Sequence, residues 1–218
     1  MFLGHYAVAF GAKRAAPAVS LGALILACQL ADLLWPTLVL LGLERVEIHP
    51  GDTVVTPLAF THYPWSHSLL MLVLWAAVFA LGYRVVRHGT ARAMIVLAAV
   101  VVSHWGLDLV SHRPDLPLVP GGAARVGLGL WNSLPATLLV EGGLFAAGVA
   151  LYARTTEAVD RTGRWAWWGL VAFLVLVHAL NLFGPPPPGA SAVAWVSQAL
   201  WLVVLWGFWV DRHRRVRA

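Results

Sequence analysis

The chain is short of charge. Only 25 of its 218 residues are Asp, Glu, Lys or Arg, a share of 11% where a soluble domain carries about 25%. That is less than half of what a water-facing surface needs, so an ordinary soluble domain is excluded. With 60% apolar residues, disordered and fibrous classes are excluded too. Cysteine is almost missing. Cys28 stands alone in an apolar run, which rules out an internal disulfide framework. No cleavable signal peptide is expected, because Lys13 and Arg14 follow the first apolar stretch instead of preceding it. Neither an internal repeat nor a polar linker interrupts the chain, so residues 1–218 are read as one integral membrane domain.

Apolar surface is abundant, with a mean hydropathy of +0.75 and 12 Trp. Runs long enough to cross a bilayer, about 20 residues each, are predicted at 19–43, 68–87, 91–112, 133–153, 165–183 and 191–210. The predicted fold is all-α: a polytopic membrane helical bundle of about six transmembrane helices plus a short N-terminal half-helix. Twelve of the 15 basic residues fall in alternate connections and tails: Lys13 and Arg14, then Arg84 to Arg92, Arg154 to Arg164, and Arg212 to Arg217. The other connections hold only Arg45, Arg113 and Arg125. Basic residues favour the cytoplasmic side. The segments around 45–66, 113–132 and 184–190 are therefore expected to face outward from an inner membrane, with the C-terminus cytoplasmic. The net charge of +5 is then a topology signal, and no nucleic-acid partner is expected.

Some polar and small residues have bland readings. Trp35, Trp65, Trp131, Trp165, Trp167, Trp168 and Trp209 lie near span ends, as an interfacial belt would place them. Gly143 and Ala147 have the small-xxx-small spacing of close helix packing. Pro185 to Pro188 form a stiff turn.

Asp32, Asp108 and Glu141 fall inside predicted spans, where each carboxylate costs about 2.5–3.5 kcal/mol at the bilayer centre. No Lys or Arg within a span can pair with them, so a bound cation with His ligands is the natural compensation. His104, Asp108 and His112 are spaced i, i+4, i+8 and form one polar stripe on a helix. That geometry makes H-x-x-x-H spacings metal sites; a water-filled seam or interhelical His–Asp hydrogen bonds explain it equally well. In the block Thr61 to Ser68, Pro64 is expected to prevent a regular helix, so that His62 and His67 point into one site from a loop. Ser66 reads as a helix N-cap. His5 reaches the same depth if residues 4–14 form a half-helix descending from mid-membrane, with a turn near Pro17. His49 and His88 are read as loop residues, His213 as part of the basic tail, and His178 as hydrogen-bonded near Asn181. Covalent c-type haem is excluded, since C-x-x-C-H is missing.

Gly4-His5, Asp32 before Trp35-Pro36, the His62…Ser66-His67-Ser68 block, and Ser103-His104…Asp108 followed by Pro117-Leu118-Val119-Pro120 resemble the ordered motifs of the YdjM-like family over roughly residues 4–120. Its members are inner-membrane metal-dependent hydrolases with the patterns GH, PDIDH, HRGxTHS and SHxxxD. This chain departs from them: Ala31-Asp32-Leu33-Leu34-Trp35 keeps one Asp and no following His, and the Arg of the third motif is lost. Fewer carboxylates argue against a dinuclear site. The order of ligands is also similar to zinc-dependent phospholipase C, with Glu141 in the position of its Glu but Thr137 where its His would stand.

The resemblance and the spacing together imply a metal-dependent hydrolase at the outer face of the membrane, acting on a lipid or lipid-linked phosphate ester. The metal ligands expected are His5, Asp32, His62, His67, His104 and Asp108. Glu141 or Asp115 is the expected general base, and Arg113 the expected clamp for an anionic headgroup. A divalent cation is implied, with Zn²⁺ suiting mixed His and carboxylate donors and Mn²⁺ or Fe compatible. The alternatives are a non-enzymatic metal-binding or transport protein, and a structural partner within a larger complex.

Overall fold

In the computed structural model, which describes residues 1–217, every long apolar run closes into helix. This is the only way a lipid-facing strip of backbone can satisfy its own polar groups without a barrel. The helices are α1 (Phe2–Ala15), α2 (Leu21–Cys28), α3 (Leu30–Leu40), α4 (Pro64–His67), α5 (Leu69–Arg87), α6 (Ala91–Ser111), α7 (Leu134–Thr155), α8 (Arg161–Phe183), α9 (Ala190–Ser197) and α10 (Leu200–Arg212). Side-chain oxygens cap many of their starts: Ser20, Ser68, Thr90, Ser133 and Asp160 each accept from an amide three residues on. The cap of α5 is thus Ser68, not Ser66.

Five segments are long and apolar enough to cross a membrane: α5, α6, α7, α8 and the run Ala190–Arg212 that joins α9 to α10. The pair α2 and α3, bent by 54° at Gln29, is long and apolar enough only when taken together as one broken span. Their outer faces carry exposed Val78, Ile95, Leu139, Leu176 and Leu202. The chain is a helical membrane protein, with the span positions expected from sequence.

Two connections read as loops contain antiparallel ribbons. β1 (Arg45–Ile48) pairs with β2 (Leu58–His62), and β3 (Leu116–Pro117) pairs with β4 (Arg125–Val126). A third ribbon, β5 (Thr156–Ala158) with β6 (Arg214–Val216), ties the end of α7 to the tail at the Arg-rich end.

Helix α1 organises the interior. Its 14 residues extend ~21 Å at 1.5 Å per residue, short of the ~30 Å hydrocarbon core. It is buried on most of its surface, through Leu3, Gly4, His5, Tyr6, Ala7, Ala9, Phe10 and Lys13. At its C-terminal end the buried Lys13 donates to Val19 O (2.8 Å) and to Asp211 Oδ1 of α10 (2.9 Å). The turn through Pro17 is thereby fixed to the Arg-rich end, and α1 rises toward the opposite end.

The seat for α1 on α7 is Thr137, Glu141, Phe145, Gly148 and Tyr152, the buried stripe of that helix. A Cβ on Gly148 would lie 2.6 Å from Ala7 O and 2.7 Å from Ala7 Cα. The small-residue contact is therefore at Gly148; Gly143 and Ala147, chosen by spacing alone, are exposed. Gly22 and Gly207 play the same part between α2 and α10, where a Cβ on Gly207 would stand 3.0 Å from Gly22 Cα. Among the belt Trp, Trp35 and Trp167 are instead core residues, 5% and 1% exposed.

Gly148→Val is expected to destabilise the bundle by about 1–3 kcal/mol, because the atoms it meets are backbone and cannot rotate away. Gly143→Val, with nothing within 4 Å of its Cβ, is expected to stay within about 0.5 kcal/mol of wild type. Thermal unfolding of both in the same detergent checks this; equal effects would overturn the placement of α1 on α7.

Candidate metal centre

Five side chains from four helices meet near the ends remote from the Arg-rich face: His5 from α1, Asp32 from α3, His67 from α4, and His104 with Asp108 one turn apart on α6. Each is delivered by a local sequence feature. Starting α1 at residue 2 places His5 in its second turn, well inside the bundle. The break at Gln29 starts a new helix, so that Asp32 lies in the first turn of α3, where a carboxylate suits the helix dipole. Pro64 starts a helical turn instead of preventing one: it is the first residue of α4, the position that tolerates a missing N–H. That turn swings His67 inward and leaves His62 exposed at the end of β2. The two His of this block therefore do not share a site, and His62 is separated from the cluster.

The donors are close. His104 Nε2 lies 3.1 Å from Asp108 Oδ2 and 3.8 Å from Asp32 Oδ1. His67 Nε2 lies 3.4 Å from Asp32 Oδ1 and 3.9 Å from Asp108 Oδ2. His5 Nε2 is 3.1 Å from Asp108 Oδ1, and its ring stacks on that of His104 with centroids 3.7 Å apart. The Met1 amine rests on Asp108 Oδ1 as well. Two triads satisfy a common-ion geometry, His5–His104–Asp108 and Asp32–His67–His104, each with one donor atom per residue and all within 4.8 Å of one another. Donors about 2.1 Å from a tetrahedral ion are themselves ~3.4 Å apart, the spacing seen here. His104 belongs to both triads.

The donor chemistry fits a cation. His104 Nδ1 is 2.7 Å from the Cys28 carbonyl, an acceptor only, so the proton sits on Nδ1 and donates to it. Cys28 ends α2, and helix-terminal carbonyls lack intrahelical partners; the break supplies this acceptor. Nε2 is then left facing carboxylate oxygens, fully buried and without a hydrogen-bond partner. A bare lone pair aimed at anions is repulsive, so Nε2 either carries a second proton shared with Asp108 or faces a cation held between them. Asp32 is the open member of the ring, 31% exposed, against 5% or less for His67, His104 and Asp108. Two surface clefts, of about 440 and 370 Å³, lie at the Arg-rich end beside Trp165 and Arg164 respectively and touch none of these residues.

The remaining candidates are held elsewhere. Glu141 is 1% exposed and accepts the Leu3 amide through Oε2 (2.8 Å). It caps the start of α1, so the reading as general base is replaced by an anchoring role. Asp115 accepts from Tyr63 OH (3.0 Å), bonds His112 Nδ1 (2.9 Å) and pairs with Arg113 Nε (3.1 Å). Arg113 also donates to Asp52 Oδ2 (2.7 Å); its guanidinium ties the β1–β2 connection to the end of α6 and is not a free clamp. His112 leaves the His104–Asp108 stripe because it is the extended C-cap of α6. His178 makes no bond to Asn181: it stacks on Phe2, with Nε2 buried and unpartnered.

Sequence reasoning missed Glu44. It is 1% exposed and accepts from the amides of Trp65 (2.8 Å) and Ser66 (2.9 Å) and from Ser66 Oγ (2.6 Å); Ser66 Oγ in turn lies 2.7 Å from His67 Nδ1. The one signal in the sequence is a carboxylate set directly after an apolar run.

No known protein family, curated protein or solved structure matches this chain.

Outside the spans, the hydrogen bond from the Arg113 guanidinium holds the Asp52 carboxyl below the usual carboxylate range. A lowered folded-state value stabilises the fold above the ordinary pKa of ~3.9, and that contribution is lost as pH falls through the folded value. The Tm difference between wild type and Asp52→Asn is therefore expected at pH 7 and is expected to close on acidification. A gap that persists or widens in acid would show that Asp52 acts by some other contact.

Proposed function

We propose that this chain is a membrane-embedded, metal-dependent hydrolase whose ion is held by His5, Asp32, His67, His104 and Asp108. The observation that carries the reading is their convergence: three imidazoles and two carboxylates from four helices, with donor atoms within 4.8 Å in each triad and no Lys or Arg among them. Zn²⁺ suits this donor set, and Mn²⁺ or Fe is compatible with it. A divalent ion there supplies Lewis acidity, polarising a phosphoryl or ester oxygen and lowering the pKa of a bound water toward ~7.

The residues around it divide the remaining work. Asp32 offers Oδ1 to the ion and is the most exposed of the five, so its Oδ2 is the carboxylate oxygen placed to accept a proton from an incoming water, since Glu141 and Asp115 are bound elsewhere. The buried members hold their orientation and exclude bulk water. By the positive-inside rule the Arg-rich ends lie in the cytoplasm, which sets the cluster in the outer half of an inner membrane with the C-terminus inside. At that depth the reach is to lipid headgroups, so a lipid or lipid-linked phosphate ester is the substrate class. The five ligands are also positions at which the chain resembles the YdjM-like motifs.

A second reading rests on the broken span. Discontinuous helices mark ion sites in transporters, and Gln29, at the break between α2 and α3, is 1% exposed with both amide atoms unpartnered. On that reading the protein binds or moves the metal without catalysis.

Elemental mass spectrometry of detergent-purified protein, washed without chelator, separates these. Roughly one equivalent or more of Zn, Mn or Fe is expected in wild type, lost in His104→Ala and in Asp108→Ala, with turnover of lipid phosphoesters lost in parallel. A metal-loaded wild type without turnover, but with metal uptake into proteoliposomes, favours the second reading. A folded wild type that is metal-free and cannot be reloaded sinks both.

A further inference from the structure

A metal ligand of the histidine type works only if one ring nitrogen is kept free of protons and aimed at the ion. Its other nitrogen usually achieves this by donating to a fixed acceptor. His104 uses the Cys28 carbonyl. His67 has a longer arrangement behind it, built from Ser66 beside it and from Glu44, which lies outside every motif named above.

Glu44 lies between α3 and β1, almost fully buried. No Lys or Arg among the described residues pairs with it. Its charge is met by three neutral donors on α4: two amides and the Ser66 hydroxyl. An ionised carboxylate only accepts, so at 2.6 Å the single Ser66 proton points to Glu44 Oε2. Ser66 Oγ then has lone pairs alone to offer His67, 2.7 Å away. The Nδ1 of His67 must donate to it, which leaves Nε2 as the atom facing Asp32 and Asp108.

We propose that Glu44 and Ser66 are the outer shell of the metal centre, a buried carboxylate–hydroxyl–imidazole relay that locks His67 with its Nε2 lone pair turned into the cluster. The inference rests on the metal reading above. Glu44 and Ser66 are positioning residues; neither reaches the ion. The carboxylate at the head of the relay, with His104 backed only by a neutral carbonyl, makes His67 the ligand with an anionic support.

A purely structural role is distinguishable. If Glu44 served only to staple β1–β2 to α4, loss of the Ser66 hydroxyl would cost stability through Glu44 Oε2 and leave metal affinity as it was. Ser66→Ala keeps the two amide bonds of that staple and removes the link to His67, whereas Ser66→Thr keeps both. Glu44→Gln removes the charge at the head of the relay.

The test is Zn²⁺ affinity of the full chain in detergent, by competition against a chromophoric chelator, with thermal unfolding of the apo protein alongside. Ser66→Ala and Glu44→Gln are expected to weaken Zn²⁺ binding by ~10–100-fold, Ser66→Thr to bind as wild type does, and the apo Tm of Ser66→Ala to fall only as far as the loss of one buried hydrogen bond requires, with the protein still folded. The visible spectrum of Co²⁺-loaded Ser66→Ala is expected to shift, as the geometry at His67 relaxes. Should Glu44→Gln fail to fold, Ser66→Ala alone decides between the relay and the staple. Wild-type affinity and an unshifted spectrum in Ser66→Ala would overturn the relay and leave the metal centre standing. A wild type that takes up no Zn²⁺ would overturn both.

Discussion

A carboxylate in an apolar interior has to be met by donors or by positive charge, since an unpaired buried ion costs several kcal/mol even after relaxation. This chain buries Glu44, Asp108 and Glu141 almost completely and Asp32 in large part, and no Lys or Arg among the described residues pairs with any of them. Each is met in a different way, and each solution fixes a different piece of the fold. Glu44 takes the amides of α4 and so sets the β1–β2 ribbon over the cluster. Glu141 takes the Leu3 amide at the start of α1, where unpaired N–H groups and the helix dipole both favour an anion. Asp108 is met by the Met1 ammonium together with the His5 and His104 imidazoles, Asp32 by the imidazoles of His67 and His104, and there the donor set fits a cation.

The capping of α1 by Glu141 anchors the start of a helix too short to span a membrane. The buried Leu3 amide would otherwise lack a partner, as the first amides of any helix do. The cap holds one end, the Lys13 bonds to Val19 O and Asp211 hold the other, and Gly148 allows the backbone of Ala7 to lie directly on α7. With both ends and the middle fixed, the rotation of α1 is fixed as well. His5 is thereby aimed at Asp108 while Tyr6 and Phe10 enter the core.

The spans were legible because apolar length is a one-dimensional signal. His104 and Asp108 were legible because one helix carries both, and helical period alone sets their relation. His5 could be placed once a half-helix with a turn near Pro17 was allowed. What composition and period cannot give is which face a helix turns to a neighbour: Gly143 has the right spacing, yet the contact is at Gly148. Nor can they give partners across the chain. Asp115 and Glu141 look like free bases in sequence and are bound by Tyr63 and the Leu3 amide, contacts 52 and 138 residues away in the chain. Pro64 was ambiguous in kind, since a proline that breaks a helix interior also begins one, and the choice between those outcomes separated His62 from His67.

The bend between α2 and α3 then acquires a definite role. A straight helix through residues 21–40 would commit the Cys28 carbonyl to the i+4 ladder and deny His104 its acceptor. Breaking the span at Gln29 frees that carbonyl and restarts the helix with Asp32 in its first turn. One irregularity therefore orients an imidazole on α6 and positions a carboxylate on α3. His67 is set independently through Ser66 and Glu44, whereas His5 Nδ1 has no partner. Its ring is held only by stacking on His104 and by Asp108. The centre is consequently preorganised unevenly: two imidazoles are locked by hydrogen bonds behind them. The third is placed by the packing of α1, so the tightness of that packing, more than any bond to His5 itself, governs whether the ring of donors closes.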